Sequence, residues 1–169
     1  MSRLYLLRHA KAGWAAPGMR DFDRPLEPVG CTDADSIGAA MRNRNYIPDL
    51  VLCSSAKRAR ETLDWVAPHT GNARAVFSDS LYSTDAAGYV DFIREAADGD
   101  HVLLIGHNPM MEDLAEALSG EGDEHARHAL HGGFPTSALA VIRFPGRLAD
   151  TAPGKGYLEA FITPAELWC

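Results

Sequence analysis

Short apolar runs punctuate the chain at Leu4-Tyr5-Leu6-Leu7, Leu50-Val51-Leu52-Cys53, Ala75-Val76-Phe77 and Val102-Leu103-Leu104-Ile105. Runs of this length, bounded by polar or turn residues, read as buried strands. Between them apolar residues return at helical spacing. Ala34, Ile37, Ala40 and Met41 mark a helix over 28–44, with Pro28 suited to its first turn. Ala59, Leu63, Val66 and Ala67 mark a second, opened by Ser54-Ser55 as N-cap residues and ended by Pro68 and Gly71. Tyr89, Val90, Ile93 and Ala97 mark a third that Asp85 would cap, and Met110, Met111, Leu114, Ala117 and Leu118 a fourth over 110–118. Two closing strands fall at 139–142 and 157–161, around a Pro/Gly turn at 145–156. The remaining stretches are polar: a Pro/Gly-punctuated loop over 10–26, and a Gly- and His-rich segment, 119–133, expected to be a loop or lid.

Strands alternating with helices predict an α/β fold, a three-layer α/β/α arrangement on a mainly parallel sheet with one antiparallel edge strand. No repeat or linker divides the chain, so 1–169 is expected to be a single domain. In a parallel sheet the ligand edge is the one where the strands end. Arg8 and His9 follow the first run directly, Ser54 to Arg58 the second, and His107 the fourth, within Gly106-His107-Asn108-Pro109. Four residues able to meet an anion are thereby predicted to converge from positions almost a hundred residues apart. Each alone has an ordinary reading: Arg8 and His9 as loop residues, Arg58 as a solvated arginine, His107 as part of a turn. Lys57, Arg58 and Arg60 nevertheless put positive charge into the first turns of a helix, against its macrodipole, and a bound anion would offset that.

Composition narrows the classes. A net charge of −7 argues against a nucleic-acid partner, so an anion site here is a local basic focus in an acidic protein. No run approaches the length of a membrane span, and the four apolar residues after Met1-Ser2-Arg3 are too few for a signal peptide. A cytoplasmic protein without a membrane partner is expected, its scattered Cys31, Cys53 and Cys169 held as reduced thiols.

The residue types suit phosphoryl transfer, which depends on positioned donors for the phosphoryl oxygens. Arginine forks match phosphate in a bidentate way. A neutral imidazole can attack phosphorus and leave again, provided a hydrogen bond, for which a backbone carbonyl would serve, holds its other nitrogen. On this reading His9 is the nucleophile.

These residues resemble the histidine phosphatase superfamily. Its Arg-His-Gly signature reads Arg8-His9-Ala10 here, Ser-x-x-x-Arg-Ala-x-x-Thr is matched by Ser54, Arg58, Ala59 and Thr62, and Gly-His-Asn by 106–108. Within it the chain is most similar to the small SixA-type phosphohistidine phosphatases, in Arg-His-Ala-Lys at 8–11, Asp23-Arg24-Pro25-Leu26, Leu81-Tyr82 and Thr136-Ser137-Ala138. The resemblance implies a phosphoglycerate mutase-like fold. It also implies a phosphoenzyme on His9, with Arg8, Arg58 and His107 holding the phosphoryl group and no metal or cofactor. Lys11, Asp23 and Arg24 are expected as further substrate contacts. Alanine at position 10 keeps the loop's path unless the backbone there needs a positive φ, which would strain it.

Larger members of the superfamily carry a proton-donating glutamate after the third strand. Here the segment reads Asp79-Ser80-Leu81-Tyr82-Ser83. Asp23 and Asp85 are the substitute carboxylates, although loop aspartates mostly cap or solvate. An imidazole leaving group, with a pKa near 6.5, needs little protonation. The expected substrate is therefore phosphohistidine on a phosphotransfer or phosphocarrier protein, met by a monomeric enzyme. The alternatives are a phosphatase for a small or phosphoserine ester on the same fold, a catalytically silent phospholigand module, and a metal-binding sensor using His125, His128 and His131. Their spacing by three spreads the last set around a helix, and no carboxylates complete it.

Overall fold

In a computed structural model, which describes residues 1–167, seven strands form one sheet in the order β3-β2-β4-β1-β6-β7-β5. The strands are β1 (Ser2–Arg8), β2 (Leu50–Ser54), β3 (Arg74–Ser78), β4 (His101–Gly106), β5 (Ser119–Gly122), β6 (Leu139–Phe144) and β7 (Gly156–Ile162). The helices are α1 (Pro28–Asn43), α2 (Lys57–Thr70), α3 (Ser80–Ser83), α4 (Ala86–Ala96), α5 (Met110–Leu118), α6 (Glu124–His131) and α7 (Pro164–Leu167). Cys169 lies outside the described residues.

The central position of β1 follows from its residues. Leu4 to Leu7 are wholly buried, as a strand covered on both faces must be. Leu4 and Leu6 join Leu104, Ile93, Met111, Leu114 and Leu118 on one face, where α4, α5 and α6 pack. Tyr5 and Leu7, pointing the other way, join Ala34, Ile37, Met41, Leu63 and Val66 of α1 and α2. A period-two strand and two amphipathic helix layers thus give the expected α/β/α arrangement. β1 pairs in parallel with β4 from Arg3↔His101 to Arg8↔Gly106, and β4 with β2 in the same sense. The antiparallel part of the sheet begins at β6, which pairs with β1 and β7, while β5 runs parallel to β7. Arg8, Ser54 and Gly106 therefore end their strands along one edge.

Three local expectations are corrected. The segment 119–133 is not a loop: it forms β5 and α6, with the Asp123 carboxylate accepting from the Ala126 N–H as N-cap. Ala126 and Leu130, one helical turn apart, are buried against the core and hold α6 in place. Ser54 and Ser55 do not cap α2: its N-cap is Ala56, and the Ser54 side chain is turned into the interior. Pro68 does not end α2 either, since the helix runs on to Thr70 and stops at Gly71, where φ is +86°. Among the described residues no helix is long and apolar enough to cross a membrane.

Candidate active site

The end of β1 is held from both sides. The Arg8 N–H donates to the Ala138 carbonyl at 3.1 Å and the His9 N–H to the Gly106 carbonyl at 3.0 Å. The Ser137 N–H in turn serves the carbonyls of Arg8 and His9 at 3.1 and 3.2 Å. His9 Nδ1 lies 2.7 Å from the carbonyl oxygen of Ala10. A carbonyl only accepts, so the ring proton resides on Nδ1 and the Nε2 lone pair is the free one. Burial, reinforced by the positive charges of Arg58 and Arg8, pulls the His9 pKa down to about 3, against the Ala10 hydrogen bond. At neutral pH the ring is uncharged, with the Nε2 lone pair available.

The second motif acts through its spacing on α2. Thr62 Oγ1 accepts from the Ala10 N–H at 2.9 Å and donates to the Arg58 carbonyl at 2.7 Å. One threonine therefore ties the turn after His9 to the helical turn that carries Arg58. Ala10 is wholly buried, and Asn45 and Ser137 are the positive-φ residues other than glycine among the described residues. Alanine is thus unstrained at that position.

His107 stands beyond β4, its ring centroid 5.1 Å from that of His9. Its Nε2 is 2.7 Å from Ser54 Oγ, which itself accepts from the Ala56 N–H at 3.3 Å. The buried Ser54 hydroxyl at the end of β2 thus fixes the imidazole at the end of β4. The His107 backbone N–H reaches Tyr89 Oη at 3.3 Å, and that hydroxyl donates to the Leu81 carbonyl. Gly106 makes room for this: a Cβ there would stand 2.8 Å from the Tyr89 ring and 3.0 Å from Met111 Sδ. Burial and the Arg58 charge lower the His107 pKa to about 4, with Asp21 opposing.

Both arginines converge on the two rings. Arg58 is 6% exposed, and its Nη1 and Nη2 donate to the backbone oxygen and carboxylate of Asp21 at 2.9 and 3.1 Å. Arg8 Nη1 donates to the Phe134 carbonyl at 2.9 Å. Arg8 Nε and His107 Nδ1 are buried with no protein hydrogen-bond partner among the described residues. Two such groups in one cluster fit an anion whose oxygens would satisfy them.

The neighbouring residues fall out differently from expectation. Lys11 is exposed and pairs with Glu27 at 3.7 Å, and Asp23 pairs with Arg20 at 2.8 Å, so neither side chain joins the cluster. Arg24 reaches it through Asp21, donating to that carboxylate at 2.8 Å. Asp85 caps α4 by accepting from the Gly88 N–H. Asp21 and the role of Tyr82 escape sequence reasoning. Tyr82, on α3, sets its ring edge-on against His107 at 5.5 Å and against Phe22 at 5.1 Å, and its hydroxyl donates to Asp21 at 2.8 Å. The hints to Tyr82 were its place in the segment that holds a glutamate in larger superfamily members and its part in the Leu81-Tyr82 resemblance to the SixA type. Among the described residues no group of three metal-ligating side chains comes together; His131 of α6 pairs with Glu116 instead.

The family model of the histidine phosphatase superfamily (branch 1) matches residues 4–86. The chain belongs to the histidine phosphatase superfamily and is of the SixA type. It is similar to a solved structure from Agrobacterium tumefaciens assigned as phosphohistidine phosphatase SixA, with 39% identity, a TM-score of 0.83, and 96% of this chain and 98% of that one covered. A protein of the same assignment from Nakamurella multipartitia shares 31% identity at a TM-score of 0.83, with 96% of each chain covered. An uncharacterized protein of Mycobacterium tuberculosis is 37% identical over 94% of this chain and 99% of its own length.

Proposed function

We propose that this phosphatase removes phosphoryl groups from phosphohistidine on a protein, by way of a phosphohistidine formed on its own His9. The observation that carries the substrate class is the group standing where a proton donor would serve an ester. The segment after β3 presents Tyr82 to His107, and hydrogen bonding to the Asp21 carboxylate raises the phenol's pKa above its ordinary value. Such a group is a poor acid, and an alkoxide would leave without help. A substrate imidazole, with a pKa near 6.5, leaves readily.

In the first step His9 Nε2 attacks phosphorus as the bond from phosphorus to the substrate nitrogen breaks; with a proton on its other ring nitrogen, the substrate imidazole departs as a neutral ring whose freed nitrogen keeps the electron pair. Arg8, Arg58 and His107 neutralise the phosphoryl oxygens throughout. Water then attacks phosphorus, the bond to His9 breaks, inorganic phosphate departs and the water's proton passes to solvent. The Ala10 carbonyl keeps the Nδ1 proton in place, so the same lone pair returns for the next turnover.

The test is a brief incubation with radiolabelled phosphohistidine protein and an alkaline quench. An alkali-stable, acid-labile phosphoenzyme is expected, and it should vanish in His9→Ala. Normal turnover by His9→Ala overturns the nucleophile. Far faster cleavage of phosphoserine peptides or small esters than of phosphohistidine, measured side by side, overturns the substrate class.

A further inference from the structure

Asp21 sits in the loop between β1 and α1, yet it is the most connected side chain around the four converging residues. Its Oδ1 accepts from Arg24 Nη1 at 2.8 Å, and its Oδ2 from Tyr82 Oη at 2.8 Å and Arg58 Nη2 at 3.1 Å. Its backbone oxygen accepts from Arg58 Nη1 at 2.9 Å. Arg24 is anchored in turn by Nε donating to the Gly13 carbonyl at 2.8 Å. The 3₁₀ turn of Asp21–Asp23, helix α2 and helix α3 therefore meet on one carboxylate.

The pattern of donors on Arg58 carries the argument. A guanidinium offers two bidentate edges: its end, Nη1 with Nη2, and its side, Nε with the second N–H of Nη2. Asp21 takes the end. Nε makes no hydrogen bond to a protein acceptor among the described residues, and Nη2, which shares the Asp21 Oδ2 with the Tyr82 hydroxyl, stands beside it; a phosphoryl group can be held along this edge by two parallel hydrogen bonds. Arg8 repeats the arrangement, with Nη1 tied to the Phe134 carbonyl and Nε left without a partner. In both arginines the far nitrogen is anchored and the side edge is kept for the ligand.

We propose that Asp21 is a positioning residue of this site: by occupying the end of the Arg58 guanidinium it aims the Nε–Nη2 edge at the phosphoryl group on His9, and Tyr82 and Arg24 hold Asp21 in register. This rests on Arg58 binding the phosphoryl group, as in the function proposed above. The opposite role for the same contact is competition, in which the carboxylate withholds Arg58 from the ligand. The two roles predict opposite signs.

The experiment is a double-mutant cycle of Asp21→Ala and Arg58→Ala, read on kcat/KM for a phosphohistidine protein and on the affinity for inorganic phosphate, with Asp21→Asn and Tyr82→Phe alongside. Asp21→Ala alone should lower kcat/KM roughly ten- to a hundredfold, mostly through kcat, the scale expected for a misaimed group. In the Arg58→Ala background the same change should cost nothing further, or should raise activity by removing an unpaired negative charge. Asp21→Asn should fall between Asp21→Ala and wild type, and Tyr82→Phe should lose a few-fold. Activity or phosphate affinity in Asp21→Ala above the wild-type level overturns the proposal in favour of competition. Equal losses with and without Arg58 overturn it in favour of a general disturbance of the loop. Wild-type protein that cleaves no phosphohistidine overturns the function proposed above; the cycle is then read on phosphate affinity, where additivity still refutes the role of Asp21.

Discussion

The two buried imidazoles make stability depend on pH in a way that can be counted. The folded site holds His9 near a pKa of about 3 and His107 near about 4, chiefly through burial. In the unfolded chain both return to about 6.5. Lowering the pH from 7 therefore adds protons to the unfolded state while the folded site still refuses them, and stability falls. One proton is worth about 1.4 kcal/mol per unit of pH, so two histidines give a slope of about 3 kcal/mol per unit between pH 6 and 4.5. From pH 7 to 5 the integrated loss is about 4 kcal/mol, a large part of the 5–15 kcal/mol typical of a domain. Asp21 does not enter this window. Its donors hold the carboxyl well below the usual carboxylate range, so its contribution is lost only at lower pH. Urea unfolding at pH 7, 6 and 5 measures the slope directly. His107→Asn should lose about one proton's worth of it, and His9→Asn the same. A slope close to zero, or one that neither substitution changes, would refute the burial argument.

Other substitutions separate the parts of the site. Arg8→Ala and Arg58→Ala should each lose about 3 kcal/mol of transition-state stabilisation in kcat/KM, on the scale of a lost oxyanion donor. Lys11→Ala, which breaks an exposed pair with Glu27, should change kcat/KM by less than about 1 kcal/mol; a loss equal to that of Arg58→Ala would place Lys11 in the pocket wall. Gly106→Ala drives a Cβ against Tyr89 and Met111 and should cost about 1–3 kcal/mol in urea unfolding, with reduced turnover because Tyr89 anchors the His107 backbone. Unaltered stability in Gly106→Ala would mean that the Tyr89 ring can move aside freely.

The difference between what was legible in the chain and what was not has a physical cause. Arg8 and His9 stand one and two positions past an apolar run, His107 two positions past another, and Arg58 lies in the first turn of the helix that follows a third. Burial of those runs forces the strands into register, so the positions of these four residues are inherited from the sheet. Lys11, Asp23 and Arg24 sit close to the same motifs along the chain, but they belong to an irregular loop, and nearness in sequence says nothing about which way a loop residue faces. Two of them are spent on local ion pairs, and Arg24 reaches the site only through Asp21. Asp21 was illegible for the complementary reason. Its partner Arg58 is thirty-seven positions away, no periodicity marks either end of the contact, and its loop takes its path partly from that contact. α6 was missed because Ala126 and Leu130 alone carry its buried face, too few for a periodic signal. Groups that meet the ligand can thus be read from the regular frame that presents them. Groups that aim those side chains come from segments whose conformation is a consequence of the contact itself, and only a folded structure reveals them.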